Sequence, residues 1–536
     1  MRTARAITTV LWLLAAAFVS VSVAVPTAAA FDRTNVPLKN WGGFAVSRDA
    51  LYDDLERLVT AGLGDRTLLN TKPLSRIEAA RIVARAIDTI RRDTDGEWNS
   101  RRDLEAVLER LRTELRSELA SLGIGTDGDP PPGFFSLTPV DRAQVRGAYA
   151  TRDRSLVAAQ GLRFQEGWNG GTTFESRAQI GDFLTFYLQP EGQLNEEFGA
   201  LRLAAGYVKL TLWNVELLVG RDSLWWGPAL HGSLIMSNNA PPLDQVRIGS
   251  AEPFLLPWVG EYVGPMKLLF FIAQLEERRD HPHAKLSGMR ATVSPFSFLE
   301  LGVSRAVMFG GDTRPELDVS EYPRVLVQPD AGDVTTPERF RNNNLFAIDA
   351  ELRLRNVNRY YLPSRDLRLY GEFGWDDTCC RSNFIPLRRA ISTLVGVHML
   401  GMFGLDIDAR VEYTRTSDAS FNHRQFRSGY WTRGEVISHY AGSDGEDWFS
   451  RVVNRVTPDV MLGLELNRAT IGRTVLGFDG PKERRIGGAV DISWNITDRW
   501  AAFGRYQLDD VDNRNFHRGA DGFDHVVLLE ITRSFR

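Results

Sequence analysis

Two periodicities divide the chain. From about residue 143 onward polar and apolar residues alternate: Leu405, Ile407, Ala409, Val411 and Tyr413 interleave with Asp406, Asp408, Arg410, Glu412 and Thr414. Successive side chains of a strand point to opposite faces, so this run has one apolar face and one polar, largely charged face. The register recurs at Ile348, Ala350, Leu352 and Leu354 against Asp349, Glu351, Arg353 and Arg355, and at Val490, Ile492, Trp494 and Ile496 against Asp491, Ser493, Asn495 and Thr497. At the C-terminus Val527, Leu529, Ile531 and Phe535 share a face. Before residue 123 the spacing is helical. Leu51, Leu55, Leu58 and Val59 predict a short amphipathic helix closed by Gly62 to Gly64, and a second helix starts at Ser75 as N-cap with Glu78 completing a capping box. That second helix runs through Ile77, Ala80, Ile82, Val83, Ala86 and Ile87. From Arg101 to Leu122 a stripe of Leu104, Val107, Leu108, Leu111, Leu115 and Leu119 suits a short bundle or a coiled coil. The Gly/Pro-rich stretch containing Asp127, Gly128 and Pro130 to Pro132 predicts a linker over 123–142.

Alternation alone fits a soluble sheet too, so export and scale decide. Arg2 and Arg5, an apolar run from Ile7 to Val25 and Ala28 to Ala30 form a secretory signal, with cleavage expected after Ala30. An uncleaved N-terminal anchor is the alternative, and either way the rest of the chain leaves the cytoplasm. The segment 143–536 is 394 residues long. A membrane hairpin with its connections uses roughly 44 residues, so this length accommodates about nine hairpins, some sixteen to twenty strands. Short turns at Leu212 to Asn214, Ser294 to Ser297, Thr457 to Asp459 and Thr497 to Arg499 oppose long polar connections from Gly310 to Asn344 and from Thr416 to Glu446. The expected fold is an all-β, antiparallel transmembrane barrel of about 18 strands over 143–536, preceded by a small α-helical periplasmic segment over 31–122.

Composition narrows the chemistry. Charged residues are 25% of the chain, which excludes a polytopic helical membrane protein, and a net charge of -4 argues against nucleic acid as a partner. The two cysteines, Cys379 and Cys380, are adjacent and supply neither a disulfide framework nor a zinc site. No metal motif and no cofactor is expected. There is no Gly-x-Ser-x-Gly elbow, so an enzyme is not the expectation, although barrel active sites can assemble from distant strands.

Two resemblances enter here. Pro73 to Ala80, following a helix and a Leu-Gly turn, resembles a degenerate S-layer homology module, which implies contact with a peptidoglycan-linked polymer; a plain helical hairpin packed under the barrel explains the same residues. Gly220-Arg221-Asp222-Ser223-Leu224-Trp225-Trp226-Gly227-Pro228, followed by Ser237 to Pro241, Asp244 and Arg247, resembles the hallmark of the capsule assembly Wzi family. A second stretch, Arg433-Gly434-Glu435 through His439 to Gly442-Ser443-Asp444-Gly445, is similar to the same family's pattern. The resemblance covers most of 145–536. It implies an outer-membrane, lectin-like barrel that holds exported capsular or extracellular polysaccharide at the cell surface, with outer-membrane lipid around it and export machinery as a further partner.

Sugars present apolar C–H faces and many hydroxyls, so a site for them needs flat aromatics beside groups that make paired hydrogen bonds. Trp225 and Trp226 are candidates for stacking, Asn238 and Asn239 for hydrogen bonding, Arg221 and Arg247 for an acidic sugar, and Arg433, His439 and Asp444 for a charged cluster. Each has a plainer explanation. Tryptophans at strand ends form the interfacial girdle of a barrel, Asn238 and Asn239 can fix a loop, and a lone histidine in a polar lumen is commonly a hydrogen-bonded scaffold residue. The loop Phe421 to Trp431 mixes aromatics with arginine and suits either an acidic polysaccharide or a lumen cover. A porin anchored through its helical segment is the competing expectation. The state of the bore separates the two, because a porin needs it open and a surface lectin tolerates loops such as Gly310 to Asn344 folded into it.

Overall fold

The computed structural model describes residues 31–38, 51–93, 98, 101–124, 133–195, 199–327, 337–376, 391–473 and 480–535. The signal region, most of the Gly/Pro stretch, and Cys379 and Cys380 lie outside the described residues.

Eighteen antiparallel strands close into one barrel. In chain order they are β1 (Phe135–Ala150), β2 (Gly167–Ile180), β3 (Leu184–Asn195), β4 (Gly199–Leu212), β5 (Val215–Asp222) and β6 (Leu243–Ser250). Next come β7 (Met266–Gln274), β8 (Lys285–Phe296), β9 (Leu299–Phe309), β10 (Asn342–Leu354), β11 (Asp366–Asp376) and β12 (Ile391–Leu400). The last six are β13 (Ile407–Arg415), β14 (Glu446–Thr457), β15 (Val460–Ile471), β16 (Glu483–Thr497), β17 (Trp500–Asp512) and β18 (Gly522–Ser534). Each pairs with its sequence neighbours, and β18 returns to β1 in a ladder from Arg142↔Ser534 to Ala150↔Val526. Closure leaves no unpaired strand edge, the condition for sheet to exist in hydrocarbon.

Burial is the inverse of a soluble sheet. In β10 the inward Asp349, Glu351 and Arg353 are buried, while the outward Ile348, Leu352 and Leu354 are exposed; β13 and β16 repeat this. An apolar outer band over a charged interior is the pattern that lipid imposes. Aromatics bracket the band. Trp213, Phe298, Tyr361 and Phe403 project from connections at one mouth. At the other mouth Tyr149 meets Trp168 edge-on at 5.3 Å and Tyr413 lies 4.4 Å from Trp448. The four turns expected from sequence all fall at the first mouth, and the connections 223–242, 310–341 and 416–445 all fall at the second.

The barrel begins earlier than the alternation implied, because β1 starts at Phe135, inside the stretch expected as linker. An irregularity between Thr138 and Arg142 shifts the register by two residues, which preserves parity, so Phe135 and Leu137 face outward with Val145 and Tyr149. The connection after β9 also departs from expectation. Its described residues lie outside the bore: Val325 and Phe340 cover the outward-facing Val307 and Phe309, and Arg305 donates to Leu326 O at 2.6 Å. Apolar side chains at its two ends give this loop a better site on the outer wall than in a charged lumen.

The N-terminal segment forms α1 (Leu51–Thr60), α2 (Arg76–Arg91), α3 (Arg102–Glu114) and α4 (Arg116–Ser121). The leucine stripe is wholly buried against Leu55, Leu58, Val83 and Ile87, so it builds a bundle, with a helix break at Leu115, and no coiled coil. Ser75 caps α2, its Oγ accepting from Glu78 N at 3.2 Å. The capping box is only half made, because the Glu78 carboxylate accepts from Lys267 Nζ on β7 at 2.7 and 2.9 Å. Inward charges near this mouth are spent on the N-terminal segment. Glu56 meets Arg368 and accepts from Arg410 at 2.9 Å, Arg57 donates to Asp406 at 2.6 Å, Arg101 donates to Asp366 at 2.9 Å, and Glu300 accepts from Leu69 N and Asn70 N at 2.9 Å. The helices therefore stopper the short-turn mouth.

Candidate functional site

From the opposite mouth two connections fold into the bore and lock together. In the first, 223–242, Trp225 and Trp226 pair in antiparallel fashion with Lys72 and Thr71 of the N-terminal segment, and Gly227 N donates to Asn70 O at 2.9 Å. Gly227 holds φ +131, and a Cβ there would run into the Glu372 carboxylate, so glycine is required at this point. Further along, Leu230 N and His231 N donate to Glu412 at 2.8 and 2.9 Å, and Leu234 N donates to Glu372 at 2.8 Å. Carboxylates facing the lumen thus satisfy backbone amides that would otherwise be buried without a partner.

The second connection, 416–445, carries a small hairpin of Trp431–Thr432 against Glu435–Val436, with Arg433 and Gly434 at its tip, both at positive φ. It is clasped by the first. Ser237 N donates to Ile437 O at 3.1 Å, Ser237 Oγ to Ser438 O at 2.6 Å, and Asn239 Nδ2 to Val436 O at 3.0 Å. Behind the hairpin, His231 Nδ1 lies 2.8 Å from Asp447 Oδ2, and Tyr440 donates to the other Asp447 oxygen at 2.6 Å. Burial resists protonation of His231, but the Asp447 carboxylate outweighs it and raises the pKa. His439 is the opposite case. Burial pulls it down to about 4 against the opposing pull of the Asp447 carboxylate 3.6 Å from its Nε2, so it is neutral at physiological pH.

The nine candidate residues consequently separate by position. Trp225 and Trp226 are buried at 2% and 1% exposure, the first against Leu38 and Ala158, the second 5.7 Å from Phe271. They form neither a girdle nor a surface platform. Arg247 faces inward and donates to Asp222 at 3.0 Å; Asn238 and His439 are buried in the loop scaffold. Arg221 points out of the barrel, where it pairs with Asp244 at 2.6 Å. Asp444 pairs with Lys482 at 2.6 Å near the rim. Asn239 is buried as well, at 5% exposure, its amide held by Val436 O and Ala158 N. The Arg433 hairpin alone remains beside an accessible place, a cleft of about 640 Å³ that opens at the long-loop mouth.

This cleft lies between the hairpin and the rim of the wall formed by β15 to β18 and β1 to β3. Trp431, Tyr440 and Phe516 give it aromatic surface, and Gln193 and Asn195 give it amides. Arg163, from the connection after β1, binds Glu435 at 2.7 Å, and the exposed Arg473 guanidinium sits 5.3 Å over the Trp431 ring. Sequence reasoning missed Arg163, Arg473 and Phe516, because they sit on connections with no shared motif and meet only when the barrel closes.

The model of the capsule assembly protein Wzi family matches residues 141–525. The chain belongs to that family. Its fold agrees with the solved structure of Wzi from Escherichia coli, an outer membrane protein involved in group 1 capsule assembly and described as a carbohydrate-binding β-barrel, with a TM-score of 0.68 at 21% identity. That match covers 95% of this chain and 100% of the other. An uncharacterized 55.8 kDa protein in the cps region of Klebsiella pneumoniae is 25% identical over 355 residues. The chain covers 62% of that relative's length, under two thirds of it, and the match spans 62% of this chain. As a Wzi-family barrel with a lipid-facing apolar band, the protein resides in the outer membrane. The two stretches that carry the family resemblance are the two connections that clasp each other in the bore.

Proposed function

We propose that this Wzi-family protein binds exported capsular or extracellular polysaccharide at its outer face and helps attach it to the cell surface. The observation that carries the reading is the rim cleft, in which an aromatic ring, a stacked guanidinium and amides face outward above a bore filled from both ends. Such a surface matches a sugar, whose C–H faces pack on rings while its hydroxyls and carboxylates pair with amide and guanidinium groups. A filled bore favours retention of polymer over passage of solutes, which sets this reading ahead of a porin. Replacing both Trp431→Ala and Arg473→Ala is expected to leave the barrel inserted and to weaken binding about tenfold through lost stacking and charge-assisted hydrogen bonding, shifting polymer from cells to medium. Cells carrying the double variant that keep all their polymer would remove the cleft from the function.

A further inference from the structure

The longest connection at the short-turn mouth is the one between β6 and β7, residues 251–265. Trp213 and Asn214 alone turn the chain between β4 and β5, so this length is not needed for turning. Between Pro253 and Met266 the only charged residue is Glu261. Leu255, Trp258, Val259 and Tyr262 are exposed, Trp258 at 97% and Tyr262 at 81%. A contiguous apolar surface of this kind marks a place of contact. We propose that the connection is a membrane anchor lying in the inner leaflet of the outer membrane, with Trp258 and Tyr262 among the phospholipid headgroups.

Continuity with the lipid-facing wall identifies the partner. Phe254 forms an antiparallel bridge with Met266, and Met266 shares the outward parity of the exposed Leu268 on β7, so the connection leaves the wall on its lipid side. It is fastened to the rim turns on either hand. Ala251 N and Glu252 N donate to Asn214 at 3.0 and 2.9 Å, beside Trp213. At the other end Ser294 N donates to Pro265 O at 3.1 Å, next to Phe296 and Phe298, whose rings stack at 5.2 Å. Gly264, at φ +82, brings the returning chain so near β8 that a Cβ would overlap Ser294 O, which pins the connection at the rim. It therefore fills the arc between two groups of aromatics that already bracket the lipid band.

Its polar contacts go to the N-terminal segment instead. Glu252 pairs with Arg81 at 2.6 Å and with Arg33 at 3.5 Å, and Arg66 donates to Glu261 O at 3.3 Å. Polar groups held by the protein and bare apolar side chains elsewhere give the division that seats a segment in the plane of a membrane interface. Trp and Tyr favour that depth, where the ring meets the acyl boundary and the N–H or O–H meets headgroups and water. The N-terminal segment is thereby joined to lipid as well as to the wall.

The test uses the full-length protein in phospholipid vesicles, with Cys379→Ser and Cys380→Ser removing the native thiols and a nitroxide attached at Trp258→Cys or at Tyr262→Cys. Collisions with oxygen, which concentrates in lipid, and with a water-soluble nickel chelate locate the label. Labels at Leu268→Cys, on the lipid face of β7, and at Glu109→Cys, on the exposed side of α3, calibrate lipid and water. Heat-modifiable gel mobility reports in each variant that the barrel is folded. The ratio of oxygen to chelate collisions at Trp258 and Tyr262 is expected to lie several-fold above that at Glu109 and below that at Leu268. Ratios equal to that at Glu109 would overturn the anchor and leave the surface open to a periplasmic protein. A second arm dispenses with the label. The emission lost in Trp258→Phe, which keeps an apolar ring at that place, is expected to be quenched by lipids brominated high on their acyl chains, and its quenching by aqueous acrylamide alone would overturn the proposal.

Discussion

Gly232 packs so closely on the ring of His439 that a Cβ added there would overlap the imidazole. Both residues are enclosed and neither loop has slack at that point, so Gly232→Ala is expected to cost about 1–3 kcal/mol of loop docking, as overpacking of a filled interior does. The measurement is the rate of trypsin cleavage at Arg424 and Arg427, on the order of tenfold faster in the variant; an unchanged rate would show that this contact does not hold the two loops together. Single residues were also the least legible feature of the sequence. A Trp-Trp pair beside Gly-Pro reads the same whether its rings face a sugar or Phe271, because residue type does not report direction. For Arg221 the direction was available. It shares the parity of Val215, Leu217 and Val219 on β5, whose outward side is the lipid-facing one, and Arg247 shares the parity of the inward Gln245. A period of two, carried through the motif itself, is enough to send these two arginines to opposite faces of the wall.

Elements were far more legible than residues, since strands and helices are written as periodicity and turns as local chemistry. The helical bundle is held by buried ion pairs, and Glu56 is shared among Arg368, Arg410 and Lys72. Removing one partner of a buried pair leaves the others uncompensated, typically at about 3–5 kcal/mol. Glu56→Ala is therefore expected to release the bundle from the short-turn mouth while the wall stays closed, seen as faster amide hydrogen exchange in α1 and α2 with strand protection unaltered; equal exchange in both proteins would refute the role given to Glu56. What periodicity could not convey was which way a long connection folds. The connection after β9 and the connection after β13 are both polar and of similar length, yet the described residues of the first lie on the outer wall and the second lies inside. The difference resides in which apolar side chains of the neighbouring strand are left to be covered.

On the scale of the whole molecule the bore is occupied from both mouths, and the occupants meet in the two-residue pairing of Thr71 and Lys72 with Trp226 and Trp225. A planar bilayer containing the full-length protein should accordingly show no sustained conductance, whereas a large steady current would return the porin reading to first place. The strand number and the sidedness of the turns followed from length and alternation, because a membrane restricts sheet to closed barrels of limited strand length. The filling of the bore did not follow, since its ion pairs join residues hundreds of positions apart. The clasp between the two loops has a mechanical consequence as well. A polymer dragged by flow pulls on the hairpin at the rim, and Ser237 and Asn239 pass that pull to the connection after β5, which Glu372 and Glu412 fasten to β11 and β13. Tension at the cell surface is thereby shared around a continuous hoop of hydrogen bonds, and no single loop has to bear it alone.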